Sequence, residues 1–206
     1  MSAAQEAELN TDGRTSVLAT SVLVVFLLAM TVTIANVSLP QMQGSLSATR
    51  DQVAWVVTSF LVANAVGVPA TGWLTDRLGS RRLIIWGTFG FSLATLSCAL
   101  APNLELLVLS RALQGLLGAP LTPLTMALVL SMYPRHQHGL VTAIFGIGVT
   151  IGPIVAPWLG GILAEDYGWR SVFFFAMPFA TLACFAVLVF IPRDRPKRER
   201  RLDLRG

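Results

Sequence analysis

The feature that most constrains this chain is a series of long apolar runs separated by short polar segments. Six of the runs reach the length at which a helix crosses the hydrocarbon core of a membrane, about 20 residues. They cover approximately residues 16–39, 52–75, 82–101, 104–132, 138–163 and 171–191. Only 13% of the residues are charged, whereas soluble domains contain about 25%. The sequence therefore predicts an all-α membrane protein with six transmembrane helices.

The charges of the loops predict how these helices are oriented. Twelve of the 15 Lys and Arg residues lie in the terminal segments or in the loops after the second and fourth runs. Only Arg50 and Arg170 lie in the loops on the other side. Because positively charged loops stay in the cytoplasm, we expect both termini to be cytoplasmic. The expected location is the inner or plasma membrane of the cell.

Three segments follow from this pattern. Residues 1–15 are expected to form an unstructured cytoplasmic tail, residues 16–192 the six-helix bundle, and residues 193–206 a basic cytoplasmic linker or tail. A cleaved signal peptide is the alternative for the first run. That run is longer than a signal-peptide core, and the residues before it are acidic, so a retained helix is the better interpretation. Asp51 is expected to cap the second helix.

The number of helices also allows an internal repeat. Since three is an odd number, the first three helices and the last three run in opposite orientations, as a 3+3 inverted repeat requires. Prolines occur in corresponding members of the two units. Pro40 ends the first helix, and Pro120 and Pro123 interrupt the fourth.

Other classes of site find little support. Cys98 and Cys184 lie inside apolar runs and are expected to be buried thiols. His136 and His138 lie in a polar loop with no nearby Cys or carboxylate, so a solvated loop is favoured over a metal site. The net charge of +4 is concentrated after the last run, where it suits lipid headgroups better than nucleic acid. We therefore expect no metal, no cofactor, no nucleic-acid partner and no enzymatic site.

The loop after the second run reads Gly72-Trp-Leu-Thr-Asp-Arg-Leu-Gly-Ser-Arg-Arg82. Asp76 is expected to end the preceding helix, and Gly79 to let the backbone reverse. A charged turn alone would explain the arginines and one glycine, but not the whole spacing. The spacing resembles the loop between helices 2 and 3 of the major facilitator superfamily. This resemblance implies a cytoplasmic gate that is formed by Gly72, Asp76, Arg77, Gly79, Arg81 and Arg82.

The fourth run contains a charged residue, Arg111, at the head of a stripe of small and polar residues. Positions 111, 115, 118, 122 and 125 fall on one face of a helix. An arginine at the centre of a membrane helix costs at least about 2.5–3.5 kcal/mol, so we expect Arg111 to face protein or water. The alternative is that it extends along the helix to the outer interface.

The residues Leu109-x-Arg111-x-x-Gln114-Gly115-x-x-Gly118-Ala119 also resemble the helix 4 signature of the same superfamily. That resemblance implies a role for Arg111 and Gln114 at a substrate or coupling site, with protons as the candidate coupling ion. It places Gly115 and Gly118 at a helix-packing surface.

The fifth run contains small residues at every fourth position: Gly148, Gly152, Ala156 and Gly160. Such a ridge lets a second helix approach closely, and Pro153 and Pro157 are expected to bend the helix. Simple packing of small residues is the alternative. The pattern resembles the helix 5 signature of antiporters in the superfamily, which implies a pivot.

The first run ends in Thr31-Val-Thr-Ile-Ala-Asn36-Val-Ser-Leu-Pro40, which resembles the helix 1 signature of fourteen-helix drug:proton antiporters. Thr31 occupies the position where that signature usually has an aspartate. With Trp55 and Ser59 of the second run, Thr31 and Asn36 are candidates for the wall of a drug-sized cavity. Plain helix packing is the alternative for each of these residues.

Together, these resemblances imply the amino-terminal half of a multidrug-efflux transporter. The expected activity is export of drug-like or other small organic molecules by alternating access. The expected partners are membrane lipid, a small-molecule substrate, protons and a second six-helix unit, supplied by another half or by a homodimer. The alternative is a truncated or regulatory membrane module that does not transport on its own.

Overall fold

The computed structural model describes the backbone of residues 3–192 and the side chains of residues 13–192, and every regular element in this part of the chain is helical. The basic segment predicted for residues 193–206 lies outside the described residues. The helices are α1 (Ala3–Val37), α2 (Leu39–Ser45), α3 (Arg50–Leu78), α4 (Ser80–Ala99), α5 (Leu104–Gly118), α6 (Leu121–Met132), α7 (His138–Tyr167) and α8 (Arg170–Phe190).

Six stretches of the described chain are long and apolar enough to cross a membrane, which confirms the prediction. They are Gly13–Val37, Arg50–Leu78, Ser80–Ala99, Leu104–Met132, Arg135–Tyr167 and Arg170–Phe190. The fourth stretch consists of α5 and α6 in succession. The protein is therefore a multi-pass membrane protein.

The start of the first helix and the cap of α3 differ from the prediction. The first helix begins at Ala3, so the segment expected to be an unstructured tail is helical from there. Residues 3–9 consist of alanine, glutamate, glutamine and leucine only, and all four are strong helix formers. The cap of α3 is Thr49 rather than Asp51: Thr49 Oγ1 accepts from Gln52 N at 3.3 Å, and Thr49 N donates to Gln52 Oε1 at 2.9 Å. This reciprocal capping box places Asp51 in the first turn, where its charge still favours the helix.

The prolines act at two positions as expected. The helix α1 ends at Val37, and Pro40 lies in the first turn of the short helix α2, where its missing N–H removes no hydrogen bond. The fourth span is interrupted between Gly118 and Leu121, with Pro120 at the break and Pro123 in the first turn of α6. The helix α7, in contrast, stays helical from His138 to Tyr167 through both of its prolines.

The pattern of helix packing matches an inverted repeat. In such a repeat α1 corresponds to the fourth span, α3 to α7, and α4 to α8. The contact of α1 with α7 then corresponds to that of α3 with α5, and the contact of α1 with α8 corresponds to that of α4 with α5. All four contacts are extensive, and α4 also packs on its own counterpart α8.

The small-residue ridge of α7 is the surface that meets α1. A Cβ atom at Gly148 would lie 2.7 Å from the Val22 side chain, and one at Gly160 would lie 2.7 Å from Ile34. At Gly152 the obstacle is backbone, because a Cβ atom would lie 2.8 Å from the nitrogen of Met30. The ridge therefore lets the two helices approach more closely than any larger side chain would allow. Pro153 and Pro157 lie on the exposed side of the same helix.

Gly79 makes the turn between α3 and α4, as its position predicts. Its φ of 84° and ψ of 153° lie in a region that only glycine adopts without strain. The helix α3 continues through Asp76 to Leu78, three residues beyond its predicted end, and α4 begins directly at Ser80.

The α1–α7 contact generates a first prediction. Gly152→Ala should lower the free energy of unfolding by about 1–3 kcal/mol, because the new methyl group forces the two backbones apart. Gly146→Ala on the same helix is the matched control, since a Cβ atom there meets nothing within 4 Å. Denaturant titration in detergent micelles, followed by circular dichroism, measures both. Equal stability of the two variants would contradict the close contact.

The turn at Gly79 generates a second prediction. Gly79→Ala should destabilise the protein by about 1–3 kcal/mol, because alanine is strained at this φ and ψ. Gly72→Ala, seven residues earlier inside helix α3 and with open space at its Cβ position, should be neutral or stabilising. The same titration compares the two, and a neutral Gly79→Ala would show that the turn can adopt another conformation.

Candidate functional site

Arg111 lies inside the bundle and has no exposed surface. Its Nε donates to the backbone oxygen of Val56 on α3 at 3.1 Å, and its Nη1 donates to Gln114 Oε1 at 2.5 Å. The guanidinium carbon lies 4.7 Å from the ring centre of Phe60 and 5.9 Å from that of Phe173. Arg111 thus contacts protein rather than lipid, and the alternative in which it reaches the outer interface is wrong.

The hydrogen bonds continue from Arg111 into α4. Gln114, which is also fully buried, donates from Nε2 to Thr95 Oγ1 at 2.7 Å, and Thr95 donates to the backbone oxygen of Phe91 at 2.8 Å. We call Arg111, Gln114 and Thr95 the arginine network. It joins the backbones of α3 and α4 through two side chains of α5. The sequence analysis does not single out Thr95 as a site residue, because a lone hydroxyl in the middle of an apolar run is a weak indication of function.

The positive charge of Arg111 is surrounded by polar groups that carry no net charge and by the faces of aromatic rings. Its partners among the described residues are an amide, a backbone carbonyl and two phenyl rings, and none of them is a carboxylate. Nη2 is buried and has no hydrogen-bond partner among the described residues. A ring face attracts a cation electrostatically, which offsets part of the cost of removing the charge from water.

Two further hydrogen bonds and two glycines hold α5 against α3. Ser59 Oγ donates to the backbone oxygen of Val108 at 3.2 Å, and Asn64 Nδ2 donates to that of Gly115 at 3.2 Å. A Cβ atom at Gly115 would collide with the backbone oxygen of Phe60, and one at Gly67 would lie 2.6 Å from the Cβ of Ala119. Ser59 is therefore half-buried at the contact between α3 and α5. Gly118 has the packing role expected of it, against Leu28 and Phe91.

The other predicted cavity residues, Thr31, Asn36 and Trp55, differ in their exposure. Thr31 is fully buried, and its hydroxyl donates to the backbone oxygen of Leu27 at 2.6 Å, within its own helix. Asn36 is exposed, and Trp55 is 57% exposed. Of the six candidates, Arg111 and Gln114 are the pair that a hydrogen bond joins among the described side chains.

The residues of the predicted gate loop separate into different environments. Arg77 stacks on Trp73 with 4.2 Å between the guanidinium carbon and the ring centre. Arg81 donates from Nη2 to the backbone oxygen of Leu188, in the last turn of α8, at 3.5 Å. Gly72, Asp76 and Arg82 are exposed.

Comparison with known proteins identifies relatives of this chain by sequence. Residues 21–206 match the family model of the Major Facilitator Superfamily. The multidrug export protein EmrB of Escherichia coli (strain K12) is 35% identical over 185 residues, which cover 89% of this chain and 36% of that protein. The fatty acid resistance protein FarB of Neisseria gonorrhoeae is 39% identical over 163 residues, which cover 79% of this chain and 32% of that protein.

A third relative is the multidrug resistance protein B homolog of Mycobacterium tuberculosis (strain ATCC 25618 / H37Rv), 36% identical over 175 residues, which cover 85% of this chain and 32% of that protein. The chain thus spans about a third of the length of these relatives. The family match, the level of identity and the inverted packing of the membrane helices show that this chain belongs to the major facilitator superfamily.

Proposed function

We propose that this chain acts as the amino-terminal half of an exporter of drug-like or other small organic molecules that works by alternating access. The observation that carries the proposal is its similarity, across the membrane spans, to proteins named for multidrug export. The inverted repeat adds support, because rigid-body rocking of such bundles around a central site is the usual mechanism of transporters with this architecture. The role is transport rather than catalysis.

The second half of the pathway would come from another six-helix unit. The spans α3 and α7 are the least buried of the six, and each packs extensively on only one neighbour. Their exposed faces could complete a pathway with a second half or a second copy of the chain. The exposed residues Asn36 and Trp55 would then lie on the wall between the units.

The arginine network is the proposed coupling site. Arg111 and Gln114 join α5 to α3 and α4, so movement of any one of these helices would strain the hydrogen bonds of the others. Protons are the proposed coupling ion, on the family resemblance. The described spans hold their acidic residues near helix ends, so a central proton-carrying carboxylate would belong to the second unit.

Two other regions have proposed roles in the transport cycle. The contact of α7 with α1, built on Gly148, Gly152 and Gly160, would serve as the pivot, with Pro153 and Pro157 on the exposed side of α7. The segment around the α3–α4 turn, with Asp76 and Arg77 in the last turn of α3, would serve as a gate latch against the second unit. The excess of positive charge on this side supports a cytoplasmic position for the loop and for both termini, in the inner or plasma membrane.

A transport assay tests the need for a second unit. The chain reconstituted into liposomes as a monomer should show no dye efflux above that of protein-free liposomes, because one bundle provides only one wall of a pathway. Cross-linking before the assay establishes the oligomeric state. Robust efflux from a verified monomer would overturn the half-transporter proposal.

The competing function is a membrane module that does not transport. The test compares efflux by monomeric preparations of the chain with efflux by dimeric or two-unit preparations. If the chain transports, Arg111→Lys should reduce flux, because lysine keeps the charge but lacks the planar fork that reaches both partners. A non-transporting module would give no flux in any preparation.

The arginine network also predicts non-additive stability. Arg111→Met should lower the free energy of unfolding by about 1–3 kcal/mol, because it leaves the buried oxygen of Gln114 without a donor. Adding Gln114→Met should cost less than the sum of the single changes, with a coupling of about 0.5–3 kcal/mol. Arg135→Met, at an exposed arginine, is the control and should change stability by less than about 0.5 kcal/mol. Additive effects would show that the two side chains act independently.

A further inference from the structure

The three arginines around the α3–α4 turn have different surroundings, although the sequence treats them as one group. Arg77 lies over the ring of Trp73, and Arg81 donates to the end of α8. Arg82 is exposed and has no hydrogen bond, ion pair or ring contact among the described residues. Arg82 is therefore the arginine of this group that is available to an external ligand.

Arg82 stands at the end of an exposed stripe on α4. Trp86 is 65% exposed, Phe89 47% and Leu93 52%. The spacing of four, seven and eleven residues from Arg82 places all of them on the same face of the helix. The rings of Trp86 and Phe89 are in edge contact, with 6.3 Å between their centres. The order along the helix is thus cation, indole, phenyl, aliphatic.

This order follows the polarity gradient of one bilayer leaflet. A guanidinium suits the phosphate level, an indole suits the interface beneath it, and apolar side chains suit the acyl chains. The stripe extends from the turn at Gly79 toward the middle of the membrane over about three turns of α4. Its length and order therefore match a phospholipid lying along the helix.

The position of Arg82 in its own helix also argues for an external partner. Arg82 is the third residue of α4, where the positive end of the helix dipole opposes a cation. It gains no compensating contact from the rest of the described chain. An anion bound at the guanidinium would supply that compensation.

We infer that the stripe formed by Arg82, Trp86, Phe89 and Leu93 binds an anionic phospholipid, with the phosphate at Arg82 and one acyl chain along Phe89 and Leu93. Charge complementarity selects an anionic headgroup over a zwitterionic one. This binding is independent of the proposed transport activity, because it needs only the membrane position of α4.

Tryptophan quenching by brominated lipid tests the inference directly. In a reporter protein, Trp55, Trp73 and Trp158 are changed to phenylalanine, and the buried Trp169 is kept. Trp86 is then the exposed tryptophan that lipid can quench. The protein is placed in phosphatidylcholine bilayers that contain increasing fractions of brominated phosphatidylglycerol, and quenching is compared with that by brominated phosphatidylcholine.

Phosphatidylglycerol should be enriched at Trp86 by about fivefold over its bulk fraction, the preference expected of one arginine near an anionic lipid. Arg82→Gln should remove this enrichment, Arg82→Lys should retain most of it, and higher salt should weaken it. Because Arg82 is exposed, circular dichroism should show the same helix content for all three proteins.

A second reporter that retains Trp158 in place of Trp86 provides the control. Trp158 is 69% exposed and has isoleucine, not arginine, four residues before it, so phosphatidylglycerol should show no preference there. Three results would overturn the inference: equal quenching of Trp86 by the two lipids, the same preference in Arg82→Gln, or no quenching of Trp86 by either lipid. The last result would mean that protein covers the stripe, as in contact with a second copy.

Discussion

The structure depends first on one constraint: a polar group inside a membrane must find its partner within the protein. Several hydroxyls of the spans meet this need locally by donating to a backbone oxygen one turn earlier, as those of Thr31, Thr88 and Thr125 do. Arg111 cannot meet it within one helix, because a guanidinium has five N–H groups arranged in a plane. Its hydrogen bonds therefore reach α3 directly and α4 through Gln114. The need to satisfy one cation thus fixes the relative positions of three helices.

The same architecture is held together by two kinds of chemistry. The α1–α7 contact depends on glycines that let apolar surfaces meet, whereas the corresponding α3–α5 contact adds hydrogen bonds from Ser59, Asn64 and Arg111 to backbone oxygens. In lipid, association rests on close packing and interhelical hydrogen bonds rather than on the hydrophobic effect. A contact without hydrogen bonds can change its geometry without leaving a polar group unpaired. This difference supports the proposal that the contact of α7 with α1 serves as the pivot.

Much of the fold could be predicted from sequence because membrane helices have a strong signal. Apolar length gave the six spans, and glycine periodicity located the contact surface of α7. The cost of burying a charge was enough to place Arg111 inside the bundle. Rotation of a helix about its axis is a weaker signal, so the sequence alone does not show that the hydroxyls of Thr31 and Ser59 donate to backbone oxygens. The cap of α3 was misplaced because Asp51 and Thr49 both suit an N-cap, and only the reciprocal bond with Gln52 separates them. The roles of the gate loop and of the pivot stay predictions.

The interruption of the fourth span at Pro120 has a mechanical consequence. Pro120 and Pro123 carry no N–H, so the carbonyls one turn before each of them accept no helical hydrogen bond from these residues. A change of angle at this point therefore costs little backbone bonding. Of the two helices of this span, α5 is joined to α3 and α4 by hydrogen bonds, while α6 packs mainly on α1. One membrane span thus consists of two helices whose relative angle can change at Pro120. Each of the two helices packs on a different set of neighbours.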